Sequence, residues 1–283
     1  MLLAAFVAAQ SDAAGAVREQ VACNLNLAKT FPKRNGRSES GSSFVKAIRP
    51  VTGTRRDELV TREVLDGNIP GFIRALTPVT LSGKLGSETI DVTICVTPDY
   101  LSVGDDRDFV RVPVGLPAAA RIASGLGFFL PTTKMVDAIY LQAAVKLAPQ
   151  PMPPTSQMQS TDYFWAHNRT VDDGRARAAG ALGDLTAGQK KDIVLTNRLR
   201  SKPGRVAIYG WHRQNGRPIQ PLSTVHDAGY ADYSHGLRLV SSTAFVNGQP
   251  RSLGDILQDP QLSQIVSSEG PIPEPNALLR SFR

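Results

Sequence analysis

Apolar positions recur along this chain with two different periods, and the changes between them mark its elements. In RRDELVTREVL, Leu59, Val60 and Val64 stand at helical spacing with charges between them. Gly67 and Asn68 supply a stop, so a helix is predicted over 55–65. The segments LTPVTLSG (76–83) and ETIDVTICVT (88–97) alternate with period two around a turn and predict the clearest strand pair. FVRVPV (109–114) predicts a third strand, at an edge or strand end, because Pro113 has no N–H to give to a ladder. Helical spacing returns over 116–126 and 132–146. Pro117 suits a first helical turn, Gly125 and Gly127 end the first helix, and Thr132 or Thr133 can cap the second. Met135, Val136, Ile139, Tyr140 and Ala143 form the apolar stripe of the second helix, a core face. Further on, KKDIVLTNRL and GRVAIYGWH predict two strands joined by a turn at Pro203 and Gly204. A short strand (244–246), a turn at Asn247 and Gly248 and a capped helix from Ser252 follow. The pattern as a whole predicts an α+β fold with a largely antiparallel sheet and several helices.

Breaks in the pattern suggest how the chain is divided. Pro149, Pro151, Pro153 and Pro154 make 148–156 an extended connector in mid-chain. It parts an N-terminal α+β portion (55–147) from a C-terminal portion (157–283), although a strap across the surface of one domain would carry the same signature. Residues 17–54, with KRNGRSESGSS, predict an exposed, mobile leading segment. Residues 1–16 combine the apolar run MLLAAFVAA with Ala14-Gly15-Ala16, the pattern of an export signal lacking its basic head. The alternative is an apolar helix packed on the body. Export implies an extracytoplasmic location, periplasmic or secreted. No later apolar run reaches the roughly 18 residues a membrane span requires, so none is expected in the mature chain.

Composition narrows the partners. The 283 residues are 41 % hydrophobic and 20 % charged, as in globular proteins, and carry a net charge of +7. That balance favours an anionic partner such as an acidic polysaccharide or cell-wall polymer. The cations are scattered as pairs (Lys33-Arg34, Arg55-Arg56, Lys190-Lys191), so there is no specific nucleic-acid signal. Cys23 and Cys95 exclude a disulfide-dense scaffold and a multi-cysteine zinc module. One bridge is open to an exported chain, but Cys95 on an alternating strand reads first as a buried, inert thiol. Asp105, Asp106 and Asp108 crowd one loop without the spacing of a calcium loop and read as a solvated acidic turn.

Candidate chemistry gathers in 205–240. This stretch holds His212, His226 and His235 out of four histidines, Trp211 out of two tryptophans, and Tyr209, Tyr230 and Tyr233 out of six tyrosines. His212, His226, Asp232 and His235 are the residue types that bind zinc or another divalent metal and leave room for an activated water. Their spacing, H-x13-H-x5-D-x2-H, fits no tight motif, and HDAGYAD ends one residue short of an H-x(6)-D zinc pattern. A metal-free site is the second candidate. Ser234 and His235 point to opposite faces of an extended strand, so a Ser234 or Ser223 nucleophile would need His212 or His226, oriented by Asp232 or Asp192. A third version makes His235 a general base with Tyr209, Tyr230 or Tyr233 as proton donor.

Arg213, Arg217 and Arg238 flank these groups and suit a carboxylate or phosphate clamp, while Trp211, Tyr209 and Tyr230 suit a sugar-stacking cleft. Plain structural uses compete throughout: histidines bonded to backbone, aromatics in the core, arginines scattered over a basic chain. No phosphate loop or dinucleotide fingerprint occurs, so no nucleotide cofactor is expected. The expectation is an exported hydrolase acting on a cell-wall peptide or polysaccharide. His235, Asp232, His212 and Tyr233 would be its catalytic residues, and Arg238, Arg213, Trp211, Tyr209 and Tyr230 would hold substrate. The rivals are a non-catalytic binding module for glycan or anionic polymer, and an assembly protein that uses its tail and leading segment.

Overall fold

In the computed structural model, which describes Cys23 and residues 31–282, the two hydrophobic periods become a mixed fold of helices packed on antiparallel sheet. The described chain opens with helices α1 (Gly41–Ile48) and α2 (Gly53–Leu65), then the hairpin β1 (Thr77–Leu85) and β2 (Glu88–Val96). Short strands β3 (Ser102–Gly104) and β4 (Phe109–Arg111) lead to α3 (Leu116–Gly125), β5 (Phe128–Phe129), α4 (Thr133–Gln142) and β6 (Val145–Lys146). The long helix α5 (Thr161–Arg177) precedes β7 (Thr186–Ala187), β8 (Lys191–Ile193), β9 (Ile208–His212), β10 (Pro218–Ser223) and β11 (His235–Gly236). Strands β12 (Val240–Val246) and β13 (Gln249–Ser252) are followed by α6 (Leu253–Gln258), α7 (Ser263–Val266) and α8 (Pro275–Arg280).

Two sheets organise these elements. The larger runs β1-β2-β12-β13, with β5 also on β12, and its hairpin is in register from Thr77 opposite Val96 to Leu85 opposite Glu88. Strands from both sides of the proline-rich connector therefore share one sheet, and buried side chains from Cys23 to Leu279 form one core cluster. The connector runs between two parts of this shared sheet. Its prolines offer no N–H groups, and it is tied down at Met152, whose N–H donates to Tyr233 Oη at 2.8 Å. The smaller sheet runs β10-β9-β8-β11, with β8 antiparallel to β9 and parallel to β11. It carries the candidate chemistry.

Several local expectations change. From residue 31 onward the leading segment is built into the body: Ser40 caps α1 by accepting the Ser43 N–H, and Phe44, Val45 and Ile48 face the core. Its serines are cap chemistry, and Gly41 allows α1 to press on the Phe109 backbone, where a Cβ would stand 2.5 Å from the Phe109 Cα. The helix expected to reach Lys146 stops at Gln142, because Ala143 turns extended and β6 pairs with β7. The acidic turn is spent on backbone amides. Asp105 accepts the N–H of Arg107 and of Asp108, Asp106 that of Phe72, and Asp108 that of Ser42.

Cys95 is not a free thiol. It is bridged to Cys23 with their Cα atoms 5.6 Å apart, which ties Cys23 to the central strand β2. A link across 72 residues removes roughly 4 kcal/mol of loop entropy from the unfolded chain. The expected export signal over 1–16 lies outside the described residues. Among the described residues no helix is long and apolar enough to cross a membrane.

Candidate functional site

Lys190, immediately before β8, is wholly buried. Its Nζ donates to the Tyr233 carbonyl at 2.6 Å and lies 3.2 Å from His167 Nδ1 on α5. An ammonium has no lone pair, so with Lys190 charged, Nδ1 is the acceptor and the ring proton sits on Nε2. That Nε2 is buried and makes no well-formed hydrogen bond, although the Gln150 backbone interacts with the ring and works to raise its pKa. Burial, then the charges of Lys190 and Arg111, drive the His167 pKa down to about 2, and the ring is neutral at physiological pH. Burial, reinforced by Arg111 and opposed by Asp232, brings Lys190 down to about 7.

His167 and Gln189 help to line a cavity of about 300 Å³ between α5 and the extended segment 146–150. Gln189 Nε2 donates to Asp99 Oδ1 at 2.9 Å, while its Oε1 has no partner. Two deeply buried residues of the lining thus carry one unmatched donor and one unmatched acceptor. Lys146, Thr170 and Arg177 contribute to the more accessible walls. Behind them Arg111 holds the assembly in place. Its Nε and Nη2 donate to Asp99 Oδ2 at 2.9 and 2.6 Å, and its Nη1 to Asn168 and Asp172 on α5 at 3.0 and 2.9 Å.

The histidine-rich stretch divides in space. Asp232 Oδ1 accepts the N–H and hydroxyl of Ser234, and its Oδ2 accepts Tyr230 Oη–H at 3.2 Å and lies 4.0 Å from His235 Nε2. His235 is wholly buried, and neither ring nitrogen has a hydrogen bond. Burial lowers its pKa to about 4 against the pull of Asp232. His226 stacks on Tyr230 with ring centres 4.1 Å apart, and Tyr230 meets His235 edge-on at 5.6 Å. Tyr233 joins this group to the Lys190–His167 pair, since its ring lies 5.0 Å from that of His167 and its carbonyl takes the Lys190 proton.

His212 stands in a different neighbourhood. Its Nε2 is 2.9 Å from Asp137 Oδ1, which also accepts Tyr209 Oη–H at 2.9 Å, and its ring stacks on Tyr140. The expected four-residue metal set is therefore split. Among the described residues no group of three or more His, Cys, Asp or Glu is arranged to hold a metal ion.

The expected substrate clamp changes as well. Arg238 is 1 % exposed and donates to the carbonyls of Thr97 and Thr186, each at 2.7 Å, with its guanidinium over the Tyr100 ring. It joins strands, and its charge is closed off from any ligand. Arg213 is exposed, Trp211 lies under Lys191 Nζ, and Tyr209 is committed to Asp137; none of the three lines the cavity. His235 and Asp232 do not line it either.

His167, Gln189 and Lys190 were not among the residues singled out from sequence. In the sequence Lys190 reads only as half of one of the scattered basic pairs. Its signal was its position two residues before Asp192 on a strand running into the apolar Ile193 and Val194, which places both charges on one buried face. Comparison with known proteins adds no relative: no protein-family model, no curated protein and no solved structure matches the chain.

Proposed function

We propose that the cavity bounded by His167 and Gln189 binds a small polar molecule with a negative charge, of the kind found in acidic sugars and carboxylate-bearing cell-wall peptides. The observation that carries this reading is the pair in its lining without well-formed hydrogen bonds, His167 Nε2–H and Gln189 Oε1. Each such buried group costs about 1–3 kcal/mol while unpaired. A hydroxyl or amide, which both donates and accepts, satisfies the two together once the lining gives slightly. Lys146 and Arg177 add positive charge for an anionic substituent, and about 300 Å³ suits a small ligand. The Cys23–Cys95 bridge supports an oxidising, extracytoplasmic setting.

A hydrolase is the second reading, favoured by Lys190. An amine with a pKa near 7 beside a neutral imidazole can relay a proton. His167 Nε2–H protonates the leaving group as Nδ1 takes a proton from Lys190; the proton the attacking water loses then enters at Nε2 from the cavity, and Nδ1 returns its own to Lys190. In this scheme His167, not the enclosed His235, meets the substrate.

Titration calorimetry of the full chain with galacturonate oligomers and muramyl dipeptide, beside neutral glucose oligomers, tests the binding reading. Acidic ligands should bind, with affinity falling about tenfold or more in Arg177→Glu. Equal binding of the neutral sugars, or no saturation by any ligand, overturns it. Product release from the same ligands, abolished in His167→Gln, supports hydrolysis. Stoichiometric zinc required for that release would overturn this scheme, in which no step uses a metal.

A further inference from the structure

Another buried carboxylate lies apart from this cavity. Asp57 on α2 is 7 % exposed, and its Oδ2 accepts the N–H of Gly115, the residue that caps α3, at 2.8 Å. Its Oδ1 has no partner. The adjacent Arg56 does not bond to it, because that guanidinium donates to the Gln159 carbonyl at 2.6 Å and lies over the Phe164 ring. Burial raises Asp57 to about 6, against the Gly115 N–H and the Arg56 charge, so the group is largely ionised at neutral pH. An ionised carboxylate held away from water with only an unbonded arginine nearby is expensive, and a small cation bonded to it would offset that cost.

A cavity of about 180 Å³ adjoins it between α2 and α3. Asp57 and Thr61 supply polar wall, Pro117 and Ala118 apolar wall, Gly229 faces them from the loop before β11, and Arg121 contributes an exposed charge. Glu58, also in the lining, is already paired with Arg55 at 3.1 Å. None of these residues lines the acidic-ligand cavity.

We propose that this cavity binds a primary ammonium group on a small apolar body, with Asp57 as its counter-ion. The amino end of a free amino acid and that of a short peptide share this chemistry. A free amino acid adds a carboxylate for Arg121, and a peptide amino terminus does not.

The test is titration of the full chain with alaninamide, alanine, propionate and sodium chloride, followed by calorimetry and by amide shifts in NMR spectra. Alaninamide should saturate the site, and propionate and sodium should not. Alanine binding more tightly than alaninamide identifies the free amino acid, and equal binding identifies the peptide terminus; both support the proposal. Asp57→Asn keeps an acceptor for Gly115 and should weaken alaninamide about tenfold or more. Gly229→Leu leaves Asp57 untouched and adds bulk at the cavity wall, where a Cβ has room because it meets nothing within 4 Å. It should cause the same loss at an unchanged melting temperature, which keeps the test decisive if Asp57→Asn fails to fold. Parent-like alaninamide binding in a folded variant, equal binding of propionate or sodium, or no saturation by alaninamide overturns the proposal.

Discussion

Helix α5 supplies two buried polar groups with opposite characters. Asn168 and Asp172 complete the network around Arg111, where all three guanidinium nitrogens are bonded and Asp99 also accepts from Gln189 and the Tyr100 N–H. Burial works to raise Asp99, but Arg111 overrides it and holds the carboxyl below its ordinary range. One residue earlier on the same helix, His167 faces Lys190 in a group left incomplete. His167 Nε2, Gln189 Oε1 and both His235 nitrogens lack well-formed hydrogen bonds, as do Trp211 Nε1 and Asp192 Oδ1 beside them, the last with only Arg238 at 3.9 Å. Six of the eleven unpaired buried side-chain atoms among the described residues thus collect around one strand. Folds satisfy nearly all such groups, so burial with completed bonds reads as architecture and burial with open ones reads as a site.

The largest effect should come from breaking the completed network. Arg111→Met leaves Asp99 charged without its bonded cation, and should cost about 3–5 kcal/mol in urea unfolding. Lys190→Met should cost less than about 2 kcal/mol, because losing a desolvated charge offsets the donor lost to the Tyr233 carbonyl. If both substitutions cost the same, the contrast between the two groups fails.

pH sharpens the contrast. Lys190 titrates near 7 when folded and near 10.4 when unfolded, so between these values the unfolded chain binds more protons and stability rises with pH. The stability difference between parent and Lys190→Met should therefore climb from pH 7 toward 10, by at most about 1.4 kcal/mol per pH unit. A flat difference would show that Lys190 is not desolvated as described.

His235 gives a smaller effect in acid. Its folded pKa of about 4 lies below the unfolded value of roughly 6.5, so its contribution is lost as pH falls through that interval. His235→Leu should remove about 1–3 kcal/mol of the fall between pH 7 and 4.5, measured by urea midpoints. Asp57 and Asp192, raised to about 6, work in the opposite direction and are common to both proteins. The smallest effect belongs to the exposed Arg177. Arg177→Ala should stay within about 0.5 kcal/mol of the parent in stability while losing affinity for acidic ligands.

Local chemistry was readable residue by residue. The β1–β2 hairpin, α2, α3 and the Ser252-capped helix α6 fall where alternation, helical spacing and capping residues place them. Those signals act between neighbours in the chain, over a few residues. The proximity of Asp232, Tyr230 and His235 is similarly local, set by turns within a dozen residues. His212 was misgrouped because strand β9 commits it to Asp137 on α4, a partner 75 residues earlier that no spacing within 205–240 reveals.

The chain alone therefore specified an α+β protein, most of its elements and a stretch dense in titratable groups, because propensity and periodicity are short-range properties. Which of those groups became architecture was settled by long-range packing. Sequence shows that Arg238 and Lys190 are cations, but only their burial shows that one is used up joining strands while the other meets His167 across 23 residues. The cavity beside that pair exists because α5, the proline strap and Gln189 converge, and convergence is a property of the folded chain.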